Sequence, residues 1–345
     1  MAYRVSVQPS GHEFEVEDGE TVLEAALREG FAFPYGCRNG ACGSCRGRIV
    51  AGTVDYRGPL PPGISPEEAA QGDALFCSAY PESDLVIEMR EIGAAKDIVV
   101  KTLPCRVARM ERLAPDVMRL LLKLPATERL QFLAGQYLDI LLRDGGRRSF
   151  SLANAPHDDE LLELHVRHVE GGRFSGQVFT AMKEKALLRF QGPLGSFFLR
   201  EDSGRPILMM GGGTGFAPLK GMLEHAFHEG IDRPIHLFRG ARTRADLYLH
   251  DLVLDWAGRY PNFRYTPVLS AAEPGDEWEG RRGFVHEALI EAYPDLGDYE
   301  VYMSGPPPMI QAARRAFKEH GLPDEHLYYD SFEPARDSRP SAASG

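Results

Sequence analysis

The sequence predicts three consecutive domains: a small α+β unit of the β-grasp kind, an antiparallel β-barrel, and an α/β domain with a doubly wound parallel sheet. Three observations lead there. Four of the five cysteines crowd between Cys37 and Cys77, inside a segment that mixes short strands with short helices. From Cys105 to Gly192 the apolar residues recur every second position, with turn clusters such as Asp144-Gly145-Gly146 between the runs. From Arg205 onward apolar strands alternate with amphipathic helices. A chain of 345 residues is also too long for one ordinary core.

The first domain is expected over residues 1–95. Tyr3–Val7 and Glu13–Val16 read as a hairpin across Pro9-Ser10-Gly11. Thr21 and Glu24 form a capping box ahead of Val22–Arg28, and Gly30 ends that helix. Arg48–Val50 and Thr53–Asp55 follow as strands, Ser65-Pro66-Glu67-Glu68 opens a second helix, and Leu85–Met89 closes the unit. Gly93–Lys96 reads as a linker. The second domain, 103–200, takes its strands from Arg106–Glu111, Met118–Lys123, Tyr137–Leu142, Ser149–Leu152 and Leu161–Arg167. The third, 205–332, alternates Pro206–Met210, Phe216–Glu229, Ile235–Phe238, Leu247–Gly258, Phe263–Leu269, Val285–Tyr293, Val301–Met303 and Met309–Glu319. Residues 333–345, rich in Pro, Ser and Ala, read as a disordered tail.

Composition narrows the function. The formal net charge of −11 speaks against nucleic acid and anionic membranes as partners. Residues 1–100 hold 16 Asp and Glu against 8 Lys and Arg, which is either a solvated acidic surface or a docking face for a basic redox partner. The N-terminus lacks a signal pattern, and no apolar run approaches a membrane span, so a cytoplasmic protein is expected; it is also expected to be a monomer. Five cysteines do not make a secreted disulfide framework; a reducing compartment with cysteines serving a metal is expected instead.

Cys37-x4-Cys42-x2-Cys45, with Cys77 downstream, has the spacing of a plant-type 2Fe-2S site. Gly36, Gly40, Ala41, Gly43 and Ser44 leave room for a loop to close around a charged cluster with its N–H groups inward. A structural zinc site usually draws on two short-spaced pairs, and only Cys42 and Cys45 form one. Cys105 has no partner pattern and reads as a small buried hydrophobe.

Four further motifs follow, two of which can face phosphates. Arg148-Ser149-Phe150-Ser151 lies on a strand of the second domain, with Arg148 and Phe150 on one face. Gly171-Gly172-Arg173-Phe174-Ser175 can open a helix whose N–H groups face a pyrophosphate. Gly211-Gly212-Gly213-Thr214-Gly215-Phe216-Ala217-Pro218 follows an apolar strand and opens a helix, the setting in which a glycine turn binds a dinucleotide. Ser304-Gly305-Pro306 sits at a second strand-to-helix turn.

In this order the motifs resemble the ferredoxin–NAD(P)H reductase superfamily with an N-terminal 2Fe-2S ferredoxin domain. The likeness is greatest to CDP-6-deoxy-delta-3,4-glucoseen reductase-like proteins and to oxygenase reductase components, and it covers roughly residues 1–332. It implies a 2Fe-2S cluster on Cys37, Cys42, Cys45 and Cys77, an FAD site on the barrel and an NAD(P)H site on the α/β domain. It further implies that Arg148 binds the flavin pyrophosphate, that Phe150 packs along the flavin and that Ser151 bonds near flavin N5. Gly172 and Ser175 would hold phosphate oxygens, Gly213, Thr214 and Gly215 the dinucleotide, and Phe332 would supply an aromatic beside the flavin. Ser304 and Gly305 resemble the family's Cys-Gly-Pro motif at the nicotinamide, with Ser304 in place of the cysteine, a departure that bears on hydride-transfer efficiency.

The function so implied is a reductase passing electrons from NAD(P)H through FAD to the cluster and on to an external acceptor such as an oxygenase component. The alternative is a self-contained reductase of a small substrate, a nucleotide-sugar deoxyhexulose intermediate or a quinone. NADH is expected over NADPH, although Arg242 and Arg244 near the end of the second strand would suit a 2′-phosphate and Asp246 a 2′-hydroxyl.

Overall fold

The computed structural model describes residues 2–92, 98–272 and 278–333. The expected linker at 93–96 and all but the first residue of the expected tail lie outside them. The chain divides into two compact units, one of residues 1–99 with 195–197 and one of the remainder.

In the first unit, β1 (Tyr3–Gln8), β2 (Glu13–Val16), β3 (Arg46–Ala51), β4 (Val54–Asp55), β5 (Asp73–Leu75), β6 (Tyr80–Pro81) and β7 (Leu85–Glu88) accompany α1 (Val22–Arg28) and α2 (Pro66–Ala70). The main sheet runs β2-β1-β7-β3-β5, with β1 and β7 parallel and the other pairs antiparallel. Both helices begin as the sequence predicts. Thr21 and Glu24, then Ser65 and Glu68, form reciprocal capping boxes that satisfy donors no helical carbonyl can reach. Val5, Val7, Ile87 and α1 residues Val22, Ala25 and Ala26 are fully buried.

The second unit opens with β8 (Lys101–Ala114), β9 (Val117–Lys123), β10 (Tyr137–Leu141), β11 (Arg147–Ser151), β12 (Leu162–Arg167), α3 (Arg173–Thr180) and β13 (Leu187–Leu194). These strands form one antiparallel sheet in the order β11-β10-β13-β8-β9-β12 around a core that includes Val107, Leu120, Leu138, Leu164 and Phe190. The predicted barrel is not closed by a continuous ladder. The edge strands meet through the single bridge Leu152–Leu164. Beyond it Ala153 N–H donates to Glu163 O at 2.8 Å, and the Asn154 side-chain oxygen accepts from Glu163 N–H at 2.8 Å. A side chain replaces the next rung, so the pairing stops there.

The unit continues with β14 (Ile207–Gly212), α4 (Phe216–His228), β15 (Ile235–Ala241), α5 (His250–Arg259), β16 (Phe263–Leu269), β17 (Arg281–Arg282), α6 (Val285–Ala292), β18 (Glu300–Gly305), α7 (Pro307–Glu319) and β19 (Leu327–Ser331). All neighbours in the order β17-β16-β15-β14-β18-β19 are parallel. Leu208, Met210, Phe238 and Met303 pack on one face with α6 and α7 residues such as Leu289 and Phe317. The alternate residues Ile207, Met209 and Leu237 are equally buried, so both faces are covered, as a parallel sheet requires. Strands β17 and β19 extend the sheet beyond the sequence expectation. Among the described residues no helix is long and apolar enough to cross a membrane.

Candidate functional site

The cysteine loop leaves α1 and returns through β3, and Cys77 arrives just after β5. Cys42, Cys45 and Cys77 are buried and Cys37 is half-buried; none forms a disulfide. Cys37 N–H points at Cys42 Sγ (3.4 Å), Cys42 N–H at Cys37 Sγ (3.3 Å) and Ser44 N–H at Cys42 Sγ (3.5 Å). The loop therefore already aims backbone donors at sulfur. Gly40 must be glycine: its φ is +75°, and a Cβ there would stand 2.8 Å from Pro61 Cβ.

The thiols stand as two pairs. A hydrogen bond from Cys42 pulls Cys37 down to about 7, and one from Cys45 does the same for Cys77. Cys42 and Cys45 are pushed well above the usual thiol range by the same bonds and by burial. Two dithiol pairs lined by inward N–H groups suit a two-iron cluster better than one tetrahedral zinc.

On β11, Arg148 and Phe150 are half-buried on one face, as alternation predicts. Phe150 packs against Phe174 of α3, ring centroids 5.3 Å apart. Arg148 donates from Nη1 to the Arg147 carbonyl at 2.8 Å. Gly172 is the N-cap of α3 and has no side chain with which to cap it. The Ser175 hydroxyl lies inside its own turn, accepting from Val169 N–H at 3.1 Å. The structure thus joins Phe150 to the α3 end, while Ser175 braces the turn.

In the parallel sheet the chain builds outward from β14 through β15 and β16 to β17, then returns to the other side of β14 for β18 and β19. The reversal lies between β14 and β18, and in open α/β sheets ligands bind outside the carboxyl ends of the strands at such a switch point. Both predicted motifs sit there. Gly211 pairs with Ser304 in register, and a Cβ on Gly215 would fall 2.0 Å from the Ser304 carbonyl oxygen, so the turns interlock. Thr214 is buried and Gly213 half-buried. The Ser304 hydroxyl is wholly buried without a hydrogen-bond partner.

Elements far apart in the chain converge on this switch point. Ser151 Oγ donates to Asp330 Oδ2 at 3.1 Å, Asp330 pairs in register with Ser304, and Phe332 N–H donates to Gly305 O at 3.0 Å. Ser151, Ser304, Gly305 and half-buried Phe332 are thereby brought together. Sequence reasoning missed Asp330 and also Arg167, which ends β12. A Cβ on Gly213 would meet Arg167 Nη1 at 2.8 Å, while Arg167 Nε is held by Asp116 Oδ2 at 2.7 Å. A cation from the antiparallel sheet thus stands over the glycine turn.

A buried polar chain fastens the two sheets behind the crevice. Lys220 of α4 bonds the Ala153 carbonyl (3.0 Å), Glu163 Oε2 (3.3 Å) and Glu224 Oε1 (2.8 Å). Glu163 Oε1 bonds His165 Nε2 (2.7 Å), and His165 Nδ1 bonds the Tyr248 hydroxyl (3.1 Å). Burial would raise Glu163, but His165 and Lys220 outweigh it and hold the carboxyl at about 2. At the end of β15, Arg242 and Arg244 are exposed, while Asp246 Oδ2 accepts from Thr243 N–H (2.9 Å) and Oγ1 (3.0 Å).

Three domain families match in the expected order: a 2Fe-2S iron–sulfur cluster binding domain over 5–82, an oxidoreductase FAD-binding domain over 104–199 and an oxidoreductase NAD-binding domain over 209–315. The chain is 39% identical over 338 residues to the CDP-6-deoxy-L-threo-D-glycero-4-hexulose-3-dehydrase reductase of Yersinia pestis, covering 97% of this chain and 100% of the relative. It is 37% identical over 342 residues to the reductase component of a Pseudomonas phenol 2-monooxygenase, covering 98% and 96%. Among solved structures it is similar to an Amycolatopsis cytochrome P450 reductase, with TM-score 0.78, 36% identity and coverage of 97% and 100%. It is also similar to the ferredoxin reductase in carbazole 1,9a-dioxygenase, with TM-score 0.70, 28% identity and coverage of 96% and 99%.

Proposed function

This chain belongs to the ferredoxin–NAD(P)H reductase superfamily, in the branch with an N-terminal 2Fe-2S domain, and on that premise we propose how its residues serve electron delivery to a partner enzyme. It is an oxidoreductase with cluster, FAD and NAD(P)H domains in series. The observation that carries the reading is the meeting of Ser151, Asp330, Ser304 and Phe332 at the sheet's switch point.

A nicotinamide bound there would supply a hydride, and FAD and the cluster would supply the means of passing its electron pair on singly. Arg148 would neutralise the flavin pyrophosphate, the first turn of α3 behind Gly172 would take a phosphate oxygen, and Phe150 would pack along the ring system. Gly213, Thr214 and Gly215 admit the dinucleotide phosphates close to the α4 N-terminus, with Arg167 above them. Ser304 would line the nicotinamide side from beneath with its buried, unpaired hydroxyl, and Gly305 would let the chain pass close. The Ser151 hydroxyl, oriented by Asp330, presents a polar group where a proton must be held or moved, and Phe332 covers the crevice. Cys37, Cys42, Cys45 and Cys77 hold the cluster.

The acceptor we infer is a partner enzyme, since the relatives are named as reductases or reductase components of a dehydrase, a monooxygenase and a cytochrome P450 system. Anaerobic titration with NADH tests the reading. Flavin and cluster absorbance should both bleach, and one-electron protein acceptors should be reduced through the cluster. Bleaching of the flavin with an unchanged cluster spectrum would refute the sequence of carriers.

A further inference from the structure

Arg239 of β15 pairs in register with Gly211, where the glycine turn begins. Its side chain is 1% exposed. The guanidinium carbon lies 4.0 Å from the ring centroid of Phe216, the first residue of α4, and 4.5 Å from that of Tyr248. Neither terminal nitrogen has a hydrogen-bond partner. Among the described residues no carboxylate pairs with it; the phenols of Tyr248 and Tyr265 are its polar neighbours, and the neutral Tyr265 hydroxyl stands within hydrogen-bonding reach of the guanidinium. The buried and half-buried cations nearby are committed, Lys220 to Glu163 and Glu224 and Arg167 to Asp116, while Arg242 and Arg244 beyond the end of β15 are exposed to solvent.

A buried guanidinium without a counter-ion is a severe cost, and two aromatic faces offset only part of it. A methionine would fill the same space between the rings with no such cost. The cost is sustained beside the one helix end where the proposed function places a dinucleotide, and the field of a charge inside protein is far less screened than in water. We propose that Arg239 is a buried counter-charge for the phosphates of the bound dinucleotide, setting affinity from behind the glycine turn without touching them. The inference rests on the reading that this turn receives the dinucleotide. Its consequence is a reversal of signs: removing the charge relieves the ligand-free protein and weakens the ligand.

ADP-ribose, which keeps the two phosphates and lacks the nicotinamide, is the probe, applied by calorimetry to the FAD-loaded full chain. Arg239→Met should bind it about tenfold more weakly, while the nucleotide-free variant melts at or above the wild-type temperature with unchanged FAD content. Arg239→Lys, which keeps the charge, should stay within about threefold of wild type. Unchanged affinity in the Met variant, or equal losses in Met and Lys variants, overturns the proposal and leaves Arg239 a packing strut. Should the Met variant not fold, Arg239→Gln is read by the same affinity criterion. Failure of wild type itself to bind ADP-ribose removes the parent reading, and so is distinguishable from failure of the proposal alone.

Discussion

Ser151 and Asp330 touch at 3.1 Å although one ends a strand of the antiparallel sheet and the other lies on the last strand of the parallel sheet. The bond links the two halves of the crevice through a hydroxyl and a carboxylate, a pair able to orient a reacting group and to hold a proton near it. Ser151→Ala and Asp330→Asn should each slow flavin reduction by NADH about tenfold or more, with FAD content unchanged, in anaerobic stopped-flow mixing. A wild-type rate in both variants would make the contact purely structural.

Cys42→Ser removes a buried thiol from one of the two pairs. The variant should lose cluster iron and sulfide together, and cytochrome c reduction with them. NADH-dependent ferricyanide reduction should persist, because that dye draws electrons from flavin. Stoichiometric zinc without iron in anaerobically prepared wild type would contradict the assignment of all four cysteines.

Arg148→Ala deletes a charge-assisted contact worth roughly 1.5–3 kcal/mol. FAD should bind about tenfold more weakly, or worse, in fluorescence titrations of the apoprotein, with secondary structure retained. Full FAD retention would place the pyrophosphate elsewhere.

The nucleotide preference turns on Asp246. Its Oδ2 caps Thr243, which leaves Oδ1 for a ribose hydroxyl, while exposed Arg242 and Arg244 stand nearby. We expect a higher kcat/KM with NADH than with NADPH, and a shift toward NADPH in Asp246→Ala. A preference for NADPH in wild type would reassign the pocket to the two arginines.

Glu163 gives a pH prediction. Its carboxyl is held at about 2 when folded, against an ordinary value near 4.3 when unfolded. A depressed carboxylate contributes stability that is fully present above the unfolded value and is lost as pH falls through the folded one. Glu163→Gln should therefore cost about 3 kcal/mol near neutrality, with the gap to wild type closing between about pH 4 and pH 2 in denaturant titrations. A gap independent of pH would show that shape, not charge, matters there.

What could be read from the sequence was what chemistry ties to local spacing. Cys37, Cys42 and Cys45 lie within one loop, and the Gly211–Gly215 and Ser304–Pro306 turns each follow an apolar strand. Asp330 was hidden because Leu327–Ser331 is a short strand, half-buried along most of its length, with no alternation to mark it. Arg167 could not be singled out because its meaning depends on a glycine turn that only folding brings near. The incomplete closure of the antiparallel sheet was likewise invisible, since it depends on one asparagine side chain replacing a backbone carbonyl. Cys105 is buried, as its lack of a partner pattern implies, and burial alone pushes its thiol up to about 12, leaving it unreactive at neutral pH.

The interlock of Gly215 with Ser304 also governs how this protein can be altered. Where a Cβ would stand 2.0 Å from a carbonyl oxygen, neither turn tolerates change alone. A glycine turn transplanted from another sequence would arrive with the wrong counterpart, and only a paired exchange of residues 211–215 and 304–306 would keep the fit. The exposed tip around Arg242 and Arg244 carries no such constraint. Retargeting the cofactor therefore belongs at that tip, while the two interlocked turns are best inherited as one indivisible part.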